Sequence, residues 1–199
     1  MVIKASYRQT AAHWISIIVH PIAFPLLTVG ALTDYTTHSF KLAAQITLLA
    51  LALTSLPVAA LVAWQVARGR WTDLDVSVRR QRYALYPVGI LCMLLMIGAF
   101  ALLHAPLLAV GAAITFMLAN VVDAGINFAY KVSAHATGAA ACAALLWLIP
   151  YWGVPASIAA LLVGWSRVEL GRHTRGQVLL GWGVGIASTA VALLTVAAL

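Results

Sequence analysis

The sequence predicts an all-α protein that crosses a membrane several times. Its 199 residues are 63% hydrophobic and only 9% charged, and the mean hydropathy is +0.98. A water-soluble domain carries about 25% charged residues, so this chain has too little charge to cover a surface that faces water. Several apolar stretches reach the roughly 20 residues that a hydrocarbon layer of about 30 Å requires. These observations exclude a soluble enzyme, a disordered chain and a nucleic-acid-binding domain.

About seven apolar stretches follow one another along the chain, separated by short polar segments. Stretches of this length are helices, because a lone strand would leave its backbone polar groups unpaired in lipid. The first contains Pro21 and Pro25 and precedes no cleavage pattern, so we expect an uncleaved helix rather than a signal peptide. Pro57 predicts a kink in the second. The predicted spans are residues 13–32, 42–66, 83–103, 107–126, 133–149, 154–168 and 177–199.

The chain shows no linker and no shift in composition, so we expect one integral membrane domain over residues 1–199. Cys92 and Cys142 lie inside apolar stretches, and neither has a second metal ligand at a suitable spacing. We therefore interpret both cysteines as buried free thiols. We therefore expect neither a bound metal nor a cofactor.

The basic residues predict the orientation of the chain. If the N-terminus and every second loop lie on one side, that side holds eleven of the 12 lysines and arginines, and Lys41 is the exception. Cytoplasmic loops carry such an excess of basic residues. We expect a plasma-membrane or inner-membrane protein with its N-terminus and basic face in the cytoplasm and its C-terminus outside. The isoelectric point near 9.9 has the same explanation and does not indicate a nucleic-acid partner.

The first polar segment with candidate functional residues is 73–82, which reads Asp-Leu-Asp-Val-Ser-Val-Arg-Arg-Gln-Arg. Its arginines, Arg79, Arg80 and Arg82, can form a fork for phosphate oxygens, because a planar guanidinium donates two parallel hydrogen bonds. An ordinary cytoplasmic anchor has the same composition, so both interpretations stay open.

A second segment combines Lys131, Ser133 and His135 at the start of a predicted helix. A helix N-terminus offers free N–H groups and partial positive charge, which both favour an anion. Taken alone, the segment is more typical of a Ser133 N-cap and a His135 without a special function.

The third segment, residues 166–177, carries the strongest signal. Arg167 ends the predicted sixth helix, His173 begins the seventh, and Gly171 permits a tight turn between them. His173 and Gln177 are four residues apart, so they share a helix face and can form a hydrogen bond. A histidine held through one ring nitrogen keeps the other as a nucleophile or base. We therefore favour a functional role over an incidental histidine in a basic loop.

The fourth predicted helix carries a polar stripe. Asn120, Asp123, Asn127 and Lys131 recur at spacings of three and four residues, which places them on one helix face. An acidic residue inside a span normally faces a polar interior. A hydrogen-bonded stripe that only holds the bundle together explains the pattern equally well.

In this order the three polar segments resemble the signatures of the type 2 phosphatidic acid phosphatase superfamily, which includes the vanadium haloperoxidases. The third reads Ser-Arg, five residues, His, three residues, Gln; the second ends Ser-Ala-His; the first is an arginine cluster before an apolar span. The resemblance covers residues 73–177 and implies a six-helix phosphatase-like core, which the last helix completes. The chain departs from the family pattern in all three segments, so the resemblance is to a divergent branch. Gln177 stands where the family has Asp, Asp75 and Tyr83 where it has Lys and Pro, and Val132 and Ala134 where it has Pro and Gly.

The resemblance implies a metal-independent phosphatase that hydrolyses a lipid or isoprenyl phosphate or diphosphate, with the bilayer and a membrane lipid as its partners. It implies that His173 forms a phosphohistidine, that His135 protonates the leaving oxygen, and that Gln177 orients His173. The implied phosphate-binding residues are Arg79, Arg82, Lys131, Ser133 and Arg167. The residues expected to support the site are Asp75, Arg80, Asp123, Asn127 and Glu169.

Two other functions stay open. An alcohol that reaches the phosphohistidine before water would make the protein a lipid phosphotransferase or another diphosphate-processing enzyme. A non-enzymatic transporter or binding protein for anionic lipids is the third hypothesis. Such transporters usually place polar groups near the membrane midplane on several helices, whereas here only Asp123 and the amide stripe lie that deep.

Overall fold

The computed structural model describes residues 6–198, and every regular element in that range is helical. The α-helices are α1 (Tyr7–Ile18), α2 (Ala23–Thr37), α3 (Phe40–Ala50), α4 (Leu56–Ala67), α5 (Arg82–Leu102), α6 (Leu107–Ala129), α7 (Ala134–Leu146), α8 (Gly153–Glu169) and α9 (Arg175–Ala197). A short 3₁₀ turn, Arg79–Gln81, precedes α5. The prediction of an all-α protein is confirmed for these residues.

Within residues 6–198, four helical segments are long and apolar enough to cross a membrane, and they contain α3 with α4, α5, α6 and α9. The pair α1 and α2 adds a fifth if both count as one bent span. Helices α7 and α8 are shorter, with 13 and 17 residues. The chain therefore has the helices of a membrane bundle, and the number of seven spans stays a prediction.

The predicted first span, residues 13–32, is not one straight helix. Helix α1 ends at Ile18 and α2 begins at Ala23, and the two helices meet at a bend of 46°. Pro21 explains the break, because proline has no backbone N–H and disfavours helical geometry at the residue before it. His20 therefore lies in a connection inside an apolar region rather than on a helix.

The helix that contains Pro57 continues without interruption from α3 to α4, but it widens where we expected a kink. Leu51–Ser55 forms a π-helical turn, and the Leu56 N–H donates to the Leu51 carbonyl oxygen. The proline ring would clash with the carbonyl group four residues earlier in a regular α-helix, and the wider turn avoids this clash.

Small residues allow the helices of the core to approach closely. Helix α9 packs mainly against α7 and α6. At the crossing of α7 and α9, a Cβ on Gly185 would collide with the Thr137 carbonyl oxygen and would lie 2.8 Å from the Ala141 nitrogen. Close contact of backbones through small residues is typical of helix pairs in membranes.

This packing brings the three polar segments together at one end of the bundle. Lys131 Nζ donates to the Arg172 carbonyl oxygen at 2.9 Å, so the segment before α7 contacts the turn before α9. The Ser133 N–H donates to the Gln177 carbonyl oxygen at 3.3 Å. Arg82, at the start of α5, reaches the same region through Val132, whose carbonyl oxygen accepts from its Nη1 at 3.0 Å.

The α7–α9 crossing yields a stability prediction. Gly185→Ala should destabilise the protein, because overpacking a close-packed site costs about 1–3 kcal/mol. Gly183→Ala is the matched control on the same helix, since its Cβ would have no atom within 4 Å. Thermal unfolding in detergent should show a lower midpoint for Gly185→Ala only. Equal midpoints for the two variants would contradict this account of the crossing.

Candidate functional site

His173 lies in the turn between α8 and α9, and only 6% of its surface is exposed. Its N–H donates to the Arg167 carbonyl oxygen at 3.1 Å, which folds the turn back onto the end of α8. Gly171 has a φ of 64°, a conformation that glycine adopts without the strain of a side chain. The turn thus buries the imidazole beside the last residues of α8.

The ring of His173 is held in one orientation by the start of α9. Its Nδ1 lies 3.0 Å from Oε1 of Gln177. The same oxygen accepts from the Thr174 N–H at 3.2 Å, and Thr174 Oγ1 accepts from the Gln177 N–H at 3.3 Å. This is a capping box, in which a side chain and the backbone at the helix start satisfy each other.

The capping box also determines where the imidazole carries its proton. An N–H must point at an acceptor, so the Thr174 bond requires the oxygen of the Gln177 amide, not its nitrogen, at this position. That oxygen can only accept, so Nδ1 of His173 carries the proton. Nε2 is therefore left with a free lone pair.

Positive charges surround this imidazole. Burial and the nearby charges of Lys131, Arg82 and Arg167 lower the pKa of His173 to about 3. The ring is neutral at physiological pH, and a neutral ring with an unprotonated Nε2 is a nucleophile. The same cations form a binding environment for an anion beside it.

Arg167 is the most deeply buried of these cations, with 2% of its surface exposed. Its Nη1 donates to Ser16 Oγ and its Nη2 donates to Asp75 Oδ2, both at 2.9 Å. Its Nε has no hydrogen-bond partner among residues 6–198. A buried guanidinium is stable only with partners, and this one has capacity for a further acceptor.

Asp75 balances part of this charge. Burial is the largest single influence and opposes ionisation, but the charge and hydrogen bond of Arg167 together with the nearby His135 and Arg172 outweigh it and lower the pKa of Asp75. The side chain is therefore a carboxylate at neutral pH, and it pairs with Arg167 at 2.9 Å. The first polar segment thus contributes a carboxylate to the site as well as an arginine.

That arginine is Arg82, which is buried. Its Nε donates to the Val76 carbonyl oxygen at 2.9 Å and its Nη1 to the Val132 carbonyl oxygen at 3.0 Å. These bonds join the first and second polar segments across α5 and α6. Burial, followed by the charges of Arg82, Arg167 and Arg172, lowers the pKa of Lys131.

Ser133 has the capping role that its position also allowed. Its Oγ accepts from the Ala136 N–H at 3.4 Å and thereby caps α7. The residue is fully buried. Its hydroxyl supports the geometry of the helix start.

His135 occupies the first turn of α7, and its Nε2 is buried without a partner among the described residues. The charges of Asp75, Arg167 and His173 act on it, so it belongs to the same electrostatic environment. Its neighbour His20, whose ring centre lies 6.1 Å from that of His135, was not predicted from the sequence. An ionisable residue within an apolar stretch was the signal that could have identified His20.

The arginines next to Arg82 have other surroundings. Arg79 Nη1 donates to the Phe128 carbonyl oxygen at 3.3 Å, and the Arg79 carbonyl oxygen accepts from Asn127 Nδ2 at 3.2 Å. Arg80 is exposed. The structure thus connects Arg79 and Asn127 to each other at the end of α6, and it brings Arg82 to His173.

Two predicted supporting carboxylates also have partners of their own. Glu169 forms an ion pair of 3.6 Å with the exposed Arg8. Asp123 accepts a hydrogen bond of 3.2 Å from Thr137 inside the bundle. His173 is therefore oriented by the neutral amide of Gln177, while these carboxylates and Asp75 pair elsewhere.

A cavity of about 520 Å³ adjoins the site. His20, Asp75, Arg82 and His135 line its polar part. Helices α2, α4, α5 and α6 line the remainder with apolar side chains, among them Leu26, Val29, Val58, Val62, Met93 and Phe116. This volume is typical of a site for a small molecule. The arrangement is an anion-binding cluster beside an apolar cavity.

Comparisons with protein-family models, with curated proteins and with solved structures found no match. Within residues 6–198, no group of three or more histidine, cysteine or acidic side chains is arranged to hold a metal ion. The chemistry of the site is therefore inferred from the residues described above.

The protonation of His173 can be measured directly. Because its pKa is lowered to about 3, nitrogen NMR of the histidine-labelled protein should show a neutral ring with the proton on Nδ1 from pH 8 down to about pH 4. His173→Gln identifies the signal by its loss. A transition near pH 6.5, the ordinary value for histidine, would contradict the buried, cation-surrounded geometry.

The Gln177 amide can be tested with the same signal. Gln177→Glu is close in shape and places a carboxylate against Nδ1, so it should raise the pKa of His173 by about 1–3 units, because an opposite charge favours the imidazolium. Gln177→Leu removes the acceptor and should not raise the pKa. A carboxylate that leaves the titration unchanged would show that residue 177 does not contact the ring.

Proposed function

We propose that this protein is an integral membrane phosphatase that hydrolyses a lipid or isoprenyl phosphate or diphosphate through a phosphohistidine. The observation that carries the proposal is the environment of His173, a neutral imidazole held through Nδ1 and under the positive charges of Lys131, Arg82 and Arg167. Phosphoryl transfer depends mainly on a positioned nucleophile and on cations that stabilise spreading negative charge. This cluster supplies both.

The first half-reaction transfers the phosphoryl group to His173. The Nε2 lone pair forms a bond to phosphorus while the bond from phosphorus to the leaving oxygen breaks. The negative phosphate favours the imidazolium form of His135, which donates its proton to the leaving oxygen. Arg82, Lys131 and Arg167 stabilise the charge on the phosphoryl oxygens.

The second half-reaction releases phosphate. Water forms a new bond to phosphorus, the phosphorus–nitrogen bond breaks, and its electron pair returns to Nε2 of His173. His135, neutral after the first step, accepts the proton of the attacking water. The proton on Nδ1 stays there throughout and continues to donate to the Gln177 oxygen, so the ring keeps one orientation in both steps.

The cavity supports a substrate with an apolar tail. Its polar part contains His135 and Arg82, and its apolar part extends between α2, α4, α5 and α6. A long apolar chain gains free energy by leaving water for such surroundings. The excess of basic residues on the face with the site favours a cytoplasmic location for the phosphate group.

Activity measurements test the proposal. Purified protein in nanodiscs should release phosphate from lipid or isoprenyl phosphates, and His173→Ala should reduce the rate to the uncatalysed background because it removes the nucleophile. His135→Ala should reduce it by about 10²- to 10⁴-fold, the usual contribution of a general acid. His13→Ala is the matched control, since His13 is exposed on α1.

The products distinguish hydrolysis from transfer. With a phosphate-labelled substrate, free phosphate should be the only labelled end product, even when alcohols are present. A rapid quench without acid, which preserves the acid-labile phosphohistidine, should trap labelled protein from the wild type and none from His173→Ala. Full activity of a folded His173→Ala variant would overturn the proposal.

A further inference from the structure

A second group of polar side chains lines the cavity and takes no part in the proposed chemistry. Tyr86 belongs to α5, and Asn120 and Asp123 belong to α6. Tyr86 follows Arg82 by four residues, which is about 6 Å along the helix. The group therefore lies about one helical turn from the phosphate-binding cluster, towards the apolar part of the cavity.

The hydroxyl of Tyr86 is the informative member of the group. The side chain is 8% exposed, and its buried oxygen forms no hydrogen bond of regular geometry among residues 6–198, although the Arg82 guanidinium lies close to it. Buried polar atoms are nearly always paired, so an unpaired one requires an explanation. Because Tyr86 lines the cavity, a bound molecule can supply the missing partner.

The two residues of α6 add capacity to bind the same partner. Asp123 is buried and accepts one hydrogen bond, at 3.2 Å from Thr137, whereas a carboxyl group has several acceptor positions. Asn120 lies against α5 at a glycine: a Cβ on Gly89 would be 3.1 Å from Asn120 Nδ2. Because Gly89 has no side chain, the Asn120 amide has room beside the cavity.

We propose that Tyr86, Asn120 and Asp123 bind a hydroxyl group on the hydrocarbon chain of the substrate, a few carbon atoms from its phosphate. The Tyr86 hydroxyl donates to the substrate oxygen, and the substrate hydroxyl donates to an Asp123 oxygen, with Asn120 as a further partner. This inference rests on the proposed phosphatase function and specifies its substrate class. The preferred substrate is a hydroxylated lipid phosphate rather than one with a wholly apolar chain.

A matched set of substrates tests the inference. The probes are hexadecyl phosphate and its 2-, 4- and 6-hydroxy derivatives in nanodiscs. At least one hydroxy derivative should have a kcat/KM at least tenfold above that of hexadecyl phosphate, because a site built to bind a hydroxyl group discriminates against the analogue that lacks it. Tyr86→Phe should abolish most of this preference, so that the favoured hydroxy derivative loses its advantage over hexadecyl phosphate.

Tyr83→Phe is the matched control, since Tyr83 also lies on α5 but is exposed and stacks on Phe128 at a ring distance of 5.2 Å. It should leave the preference unchanged. Asp123→Asn, which keeps the shape of the side chain, should weaken the preference as Tyr86→Phe does. Equal kcat/KM for all four probes, or a preference that survives Tyr86→Phe, would overturn the inference.

A binding measurement separates this inference from the proposed function. If no probe is hydrolysed, the phosphatase proposal fails, and the shift in unfolding temperature on adding each probe decides the question of the hydroxyl site. The favoured hydroxy derivative should stabilise the wild type more than hexadecyl phosphate does, and Tyr86→Phe should remove the difference. Equal shifts with all probes would exclude the hydroxyl site even if phosphatase activity is found.

Discussion

The hydrogen bond between His173 Nδ1 and Gln177 Oε1 is the constraint on which the site depends. Its acceptor is also the oxygen that caps α9 through the Thr174 N–H, so helix formation and ring orientation share one group. A displaced amide would lose both interactions at once. The local start of a helix therefore holds the imidazole, and the bond leaves Nε2 available for chemistry.

Charge compensation explains how two arginines can be buried and a lysine half-buried around this imidazole. Arg82 is satisfied by backbone carbonyl oxygens, Lys131 by the carbonyl oxygen of Arg172, and Arg167 by Asp75 and Ser16. Only Asp75 supplies a full negative charge among these partners. The cluster consequently keeps a net positive charge, which an anion can neutralise, and buried charges favour such neutralisation.

The cavity connects this charged cluster to the apolar part of the bundle. His135 and Arg82 belong to both, while Tyr86 and Asp123 place polar atoms further along the same space. The break at Pro21 brings His20 beside His135, and the π-helical turn before Pro57 widens the helix that forms another wall. Two walls of the cavity thus contain irregular backbone, which membrane helices tolerate where they line a cavity.

Composition and the length of the apolar stretches determined the all-helical membrane fold, because lipid leaves backbone groups no partner outside a helix. The contact between His173 and Gln177 was also predicted, from their spacing of four residues. His173 nevertheless lies in the turn before α9 rather than on the helix, so the capping box of Thr174 and Gln177, not a shared helix face, brings the two side chains together. The partners of Arg167 could not be predicted, because Ser16 on α1 and Asp75 in the segment between α4 and α5 meet it only when these elements assemble with α8. The position of His20 beside His135 was likewise decided by tertiary packing, since side chains far apart in sequence become neighbours only through the arrangement of whole helices.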